Sequence, residues 1–266
     1  LTIFLAVIGF ILLYSIINNP YEKSDIFLSF IFSVARLIIC FIFAFLIINL
    51  LILTKFTSKQ KISQSYLGPI TNFLTRYGKF AVLILLLISL YRIADVVMGV
   101  MANIFYLEKG YKISEIATFS KFFGVFATIF GGFIGGYCSY RFGTMKALFF
   151  GALIAALSNL LFAWLAVSPI SINFLIAVIT ADNISSGFAG AAFVIYLSGL
   201  TSIKFTATQY ALFSSIMLFL PKLIAGYAGS WVDVMGYAYF FSFTAFLGIP
   251  VLFLILWIGK VAPIKN

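Results

Sequence analysis

Histidine is absent from this 266-residue chain, and charge is scarce: 17 basic and 7 acidic side chains make up 9% of it. Without histidine the commonest general base and metal ligand are missing. Two cysteines, Cys40 and Cys138, give neither a disulfide framework nor a metal-ligand spacing. There is no glycine-rich phosphate loop, no nucleotide-binding soluble domain, no Ser-His-Asp set and no metal cluster. The chain therefore does not read as an enzyme or as an ATP-driven pump, and no cofactor is expected. A soluble domain carries roughly 25% charged residues, so the scarcity of charge also argues against a water-facing surface.

What fills the chain instead is apolar. Hydrophobic residues make 64% of it, with a mean hydropathy of +1.17. Aromatics make 19%: 33 Phe, 14 Tyr and 3 Trp. Such a composition suits lipid-facing helices and interfacial belts. The net charge of +10 does not point to nucleic acid, because the charges fall between apolar runs. The chain opens at Leu1 and is apolar at once, without the charged stretch or small-residue cleavage site of a secretory signal. It reads as a helix cut into by a fragment boundary, or as following an unusual start codon.

The pattern predicts an all-α polytopic membrane protein of about 8 spans, over 1–18, 27–53, 80–106, 116–138, 147–167, 172–199, 208–230 and 237–258. Between Lys146 and Asp182 there is no charge, and Ser168-Pro169-Ile170-Ser171 divides that stretch into two helices. The segment 54–79 carries Lys55, Lys59, Lys61, Arg76 and Lys79 and no acid. Arg141, Lys146, Lys204, Lys260 and Lys265 fall on the same predicted side, whereas Lys23, Lys109 and Lys112 are mixed with Glu22, Asp25, Glu108 and Glu115. The positive-inside bias makes the first side, with both termini, cytoplasmic. Three parts follow: two helices over 1–53, a basic cytoplasmic linker over 54–79, and six helices over 80–266.

Polar groups inside the spans are the candidate functional residues, since a charge at the bilayer centre costs roughly 2.5–3.5 kcal/mol and is expected to face a cavity or a partner. Asp182 lies about ten residues into its helix, near the midplane of a core about 30 Å thick. Arg92 and Asp95 are three apart and share a helix face. Lys121 and Lys222 lie inside further helices, the latter just after Pro221, where a kink is expected. Asp95 and Asp182 are the candidate proton carriers, because removal from water costs a carboxyl's charged form most. Arg92, Lys121 and Lys222 could meet carboxylates of a solute, and Asn183 and Gln209 could hydrogen-bond its hydroxyls or amides. The alternative for each is structural: an interhelical pair for Arg92–Asp95, snorkelling for Lys222, capping for Gln209 near its helix start. Arg36 is expected to snorkel or face the bundle, and Asp233 to lie near the outer surface. Glycines 131, 132, 135 and 136, and Ser186, Gly190, Ala225 and Gly229, repeat a small-x-x-x-small spacing that lets helices approach closely.

Several motifs carry a family resemblance. The loop Gly136-Tyr137-Cys138-Ser139-Tyr140-Arg141-Phe142-Gly143-Thr144-Met145-Lys146 resembles the loop signature of major facilitators at Gly136, Arg141, Gly143 and Lys146, with Tyr140 where that signature has an acid. Six helices after a long basic loop are the layout of one half of such a transporter. Over about 80–260 the chain is similar to AmpG-type muropeptide permeases. The likeness lies in Tyr91-Arg92-Ile93-Ala94-Asp95 with Met98-Gly99, in Ser120-Lys121-Phe122-Phe123-Gly124 through Ile129, in Asp182-Asn183 with Gly187 and Ala191-Ala192-Phe193-Val194, and in Thr206-Ala207-Thr208-Gln209-Tyr210-Ala211-Leu212 with Ser214-Ser215. Asp182 stands where the family often has Glu. The resemblance implies the C-terminal part of a permease of the bacterial inner membrane, importing anhydro-muropeptides, a small glycopeptide substrate, on the proton gradient. Two six-helix halves normally surround such a site, so an N-terminal half-transporter or a second copy is an expected partner besides the lipid bilayer. A split-gene or truncated fragment without transport activity of its own is the alternative.

Overall fold

The computed structural model describes residues 2–21, 26–54 and 67–261, and every regular element among them is helical. The chain divides into two compact units, Leu1–Thr71 and Asn72–Asn266. Among the described residues, seven helical stretches are long and apolar enough to cross a membrane, and an eighth, Phe4–Ile16, is apolar but shorter. An all-α polytopic membrane protein is thus the architecture.

In the first unit α1 (Thr2–Ile16) and α2 (Ile26–Leu53) pack as a hairpin. Lipid offers no partner for backbone or polar groups, and the polar residues here bond to one another. Asn19 donates to Ser29 Oγ at 2.9 Å and Ser33 Oγ at 3.1 Å. The Arg36 guanidinium lies 3.6 Å from the Tyr14 ring centroid and donates to the Tyr14 carbonyl, so it faces its neighbouring helix. Of the expected linker over 54–79, residues 55–66 lie outside the described residues. Its remainder differs from the expectation: Gly68–Tyr77 is a helix, α3. Pro69 sits in its first turn, where a missing N–H costs nothing, and Phe73 and Tyr77 continue at helical spacing.

The second unit holds the remaining spans. The crossing expected as one helix over 80–106 is two, α4 (Ala81–Leu90) and α5 (Ile93–Lys109), with a break at Tyr91–Arg92. Neither glycine nor proline marks that break. After Gly110, whose φ of 103° closes α5 in the left-handed region, Ile113–Ile116 and a π-helical stretch, Ala117–Phe123, lead into α6 (Gly124–Phe142). Gly143 alone, at φ 91°, turns α6 into α7 (Thr144–Val167). A side chain there would be strained, so Gly143→Ala is expected to lower stability by about 1 kcal/mol, read as a downward shift in the thermal midpoint of the detergent-solubilised protein.

Ser168–Ser171 is the turn before α8 (Ile172–Leu200), as its proline predicts, and Ser171 Oγ caps the Phe174 amide. Next come α9 (Thr206–Ala225), α10 (Ala228–Phe246) and α11 (Gly248–Val261). The helical path breaks lightly at Gly226–Tyr227, where Gly226 keeps helical angles, and α10 itself is divided at Gly236, whose φ of 76° and ψ of 165° are non-helical, within the turn expected over 231–236. Pro221 sits inside α9 near its end without interrupting it. Asp233 is exposed, on the first turns of α10.

Aromatic packing fills the junction of α5, α7 and α10, where Phe241 lies 5.0 Å from Phe105 and 5.3 Å from Phe162. The connections are tied by cations on carbonyls. Lys109 Nζ holds the carbonyls of Ala166 and Ser168 at 2.7 and 2.6 Å, at the end of α7. Arg76 reaches the carbonyls of Leu200 and Thr201 at the end of α8. A cation on the last carbonyls of a helix meets both unpaired acceptors and the negative end of its dipole.

The closest helix pair is α6 against α8. A Cβ on Gly187 would meet the Thr128 carbonyl oxygen at 2.0 Å, one on Gly131 the Ile184 oxygen at 2.1 Å, and one on Gly135 the Phe188 oxygen at 2.4 Å. Backbone lies on backbone here, which only glycine permits. The 131/135 spacing thus belongs to the seam. A Cβ on Gly136 or Gly229 would meet nothing within 4 Å, and the seam residue on α8 is Gly187 rather than Gly190.

Candidate functional site

The break at Tyr91–Arg92 begins the site. α5 opens on Arg92 and places Asp95 in its first turn. Three residues apart, the two side chains meet, with Arg92 Nη2 2.5 Å from Asp95 Oδ2. The pair is only partly covered, 23% and 10% of the two side chains remaining exposed. Tyr91, just before it, is buried, stacks on Phe193 at 4.3 Å and donates to the Leu148 carbonyl at 3.2 Å, which anchors the break against α7 and α8.

α8 supplies the facing residues. Arg92 Nη2 lies 3.3 Å from Ser186 Oγ, and Ser186 Oγ lies 3.4 Å from Asp95 Oδ2. Asp182, one turn earlier on the same face of α8, lies within electrostatic reach of both Asp95 and Arg92. Its side chain receives the Ser158 hydroxyl of α7 at 3.3 Å, and Ser185 stands 3.1 Å from Ser158. Beside Ser158, fully buried Asn159 donates to the Ala94 carbonyl and to Thr244 Oγ1, both at 3.2 Å, and so ties α7 to α5 and α10 immediately behind the acids.

The sequence placed Asp95 and Asp182 on separate helices, with nothing to join them; the fold brings Asp182 within electrostatic reach of the Arg92–Asp95 pair. Two acids and one base leave a formal deficit of one positive charge. Asp95 has a cation at contact distance. Among the described residues, the only side-chain hydrogen bond to Asp182 comes from a serine.

The remaining sequence-predicted residues lie elsewhere. Asn183 accepts from Thr128 Oγ1 at 3.0 Å and donates to the Ile179 carbonyl at 2.8 Å, in the α6–α8 seam. Gln209 is fully buried at the start of α9, where it accepts from the Ser202 amide at 2.7 Å and donates to Asn72 Oδ1 at 3.2 Å. Gln209→Ala is expected to cost about 1–3 kcal/mol through unpaired buried groups, seen as a lower thermal midpoint. Lys121, on the π-helical stretch, and Lys222, near the end of α9, are both exposed, and neither contacts the acid cluster. Ser158, Asn159 and Ser185 were not anticipated. Their signal was available: Ser158-Asn159 is the one strongly polar pair in the interior of the uncharged run before Asp182.

No protein-family model matches the chain. Curated relatives do. The chain is 34% identical over 254 residues to "Putative transporter AmpG 4" of Rickettsia felis, covering 95% of this chain and 60% of that protein. It is 35% identical over 212 residues to the protein of the same name in Rickettsia conorii, covering 80% of this chain and 49% of the relative. With "Putative transporter AmpG 1" of Rickettsia bellii the identity is 34% over 189 residues, 70% of this chain and 46% of the relative. The chain thus spans about half to three-fifths of the length of these relatives. The relatives are named as transporters and not as enzymes. By homology over nearly its whole length, and with helices fit to cross a membrane, the chain is related to the proteins named as AmpG transporters.

Proposed function

We propose that this chain forms the C-terminal part of a proton-coupled secondary transporter that imports anhydro-muropeptides across the bacterial inner membrane. The observation that supports the coupling is the cluster of Arg92, Asp95 and Asp182, one cation paired with one acid and within electrostatic reach of a second. Coupling needs a group that binds the proton differently in two conformations. Asp182 is that group, because Asp95 is already satisfied by Arg92. Lys121 and Lys222, both exposed and apart from the acid cluster, offer cations to a peptide carboxylate, while Arg92 serves the acids. The substrate class follows the name of the relatives and the motif likeness over 80–260.

The basic residues Arg141, Lys146, Lys204 and Lys260 mark the cytoplasmic side, which puts both termini there. Since the chain covers 60% of the Rickettsia felis relative, a complete transport path requires either an N-terminal half or a second copy. The second reading, a fragment without transport of its own, draws on that same coverage.

The test is uptake of labelled anhydro-muropeptide by cells lacking their own permease, with the chain expressed alone and together with the N-terminal part of an AmpG-type relative. Accumulation that a proton uncoupler abolishes is expected, in the presence of the second half. Correctly inserted protein that gives no uptake in either setting would overturn the reading in favour of the inert fragment or another solute.

A further inference from the structure

Ser186 has no part in the coupling described so far, yet it occupies the centre of the cluster. It stands on a stripe of α8, Asp182–Ser186–Gly190, spaced four apart and facing α5. The Arg92 side chain crosses from the α4–α5 break and lies along that stripe. Its Nη2 is 3.3 Å from Ser186 Oγ, and its Nη1 is 3.4 Å from where a Cβ on Gly190 would stand. The backbones around it do not make this contact: α8 packs chiefly on α6 and α7, and α5 on α9, α10 and α7. The guanidinium and the serine therefore bridge two helices that otherwise scarcely touch.

A serine hydroxyl has one proton and two lone pairs. Here it accepts from Arg92 and donates to Asp95. It thereby holds the guanidinium between an acid it contacts and an acid one helical turn away. When Asp182 is neutral, the Arg92 charge is fully matched by Asp95. When Asp182 loses its proton, a second anion competes for the same five-donor fork. Ser186 keeps that fork on α8, within reach of either acid.

We propose that Ser186 is a positioning residue for coupling: it seats Arg92 so that the charge state of Asp182 is sensed across the junction of α5 and α8. Gly190 completes the seat by leaving room for the guanidinium. The assignment rests on the proton-coupled reading above, and the experiment separates the two. The transporter, with its second half, is assayed with labelled anhydro-muropeptide in two modes: proton-driven accumulation, and exchange across vesicles at equal pH on both sides, which needs no net proton movement. Ser186→Ala is expected to lower accumulation about tenfold, the scale of a lost hydrogen bond to a charged group, while exchange stays within about twofold. Ser186→Thr, which keeps the hydroxyl, is expected to restore accumulation. Gly190→Leu is expected to reproduce the Ser186→Ala loss by displacing the guanidinium, and Gly190→Ala, whose methyl fits at ordinary contact distance, to leave both modes unchanged.

If exchange and accumulation fall together in Ser186→Ala and Gly190→Leu alike, or if neither falls, the assignment is overturned while coupling stands. If wild-type accumulation ignores the uncoupler, the proton-coupled reading fails and takes this one with it.

Discussion

Asp182→Asn is expected to abolish uncoupler-sensitive accumulation while leaving membrane insertion and equal-pH exchange intact. The amide has nearly the shape of the carboxyl and can keep the hydrogen bond from Ser158, so packing of α7 on α8 is preserved. What it loses is the ability to carry a charge in one conformation and a proton in another. A site with no difference between states shifts no equilibrium, so the ratio of internal to external solute should fall to about one. The companion change at Asp95 should behave differently. Asp95→Asn strips Arg92 of its contact-distance partner, and breaking a buried pair costs roughly 3–5 kcal/mol; with the pair partly exposed, the loss belongs toward the lower end of that range. Asp95→Asn is therefore expected to reduce yield and thermal stability as well as uptake. Quantifying inserted protein beside uptake distinguishes the two acids. Normal uncoupler-sensitive accumulation by Asp182→Asn would remove it as the carrier.

Gly187→Ala is expected to be among the most destabilising single-methyl changes in the second unit. The new Cβ falls 2.0 Å from the Thr128 carbonyl oxygen and 3.0 Å from the Gly132 amide nitrogen. Both are backbone atoms, which cannot swing aside as a side chain could, so α6 and α8 must part along the seam. Overpacking of this kind costs typically 1–3 kcal/mol and occasionally more, and at this size each kcal/mol moves the midpoint by roughly 2–4 °C. A drop of about 5–10 °C follows from a cost near the top of that range. Gly136→Ala is the internal control: nothing stands within 4 Å of its Cβ, and alanine favours the helix by up to about 1 kcal/mol. A thermal melt of the two purified variants that showed equal midpoints would contradict the account of the seam.

The spans were legible because lipid imposes one strong rule, an apolar run long enough to cross, and loops such as Ser168–Ser171 and Gly143 carry turn chemistry that any sequence reading can use. The break between α4 and α5 was not legible, because Leu90-Tyr91-Arg92-Ile93 contains no helix breaker; tertiary anchoring of Tyr91 makes it. The turn expected over 231–236 was legible because Gly236, which takes a positive φ, supplies it, whereas the lesser break at Gly226–Tyr227 was not foreseen. For the site, the expense of burying charge singled out Arg92, Asp95 and Asp182. Their convergence was hidden, since sequence spacing relates residues within a helix and says nothing of which helices face each other. Ser158 and Ser185 were hidden for another reason: serine inside a helix commonly satisfies itself on a carbonyl one turn back, so its presence alone points nowhere. Asn183 and Gln209 were visible as polar residues, but their partners, Thr128 and the Ser202 turn, hold the helices together.

The interruption at Tyr91–Arg92 gives the membrane interior something a continuous helix lacks. The opening amides of α5 fall at a helix start, where backbone donors lack regular intrahelical partners, and they lie beside the Arg92–Asp95 pair. If the chain works as the transporter proposed above, deuterium reaches them when solvent enters from whichever side is open at that moment. On that proposal their exchange rate is a gauge of gating: labelling from one compartment at a time would report how often each entrance opens, without any need to know what the protein carries.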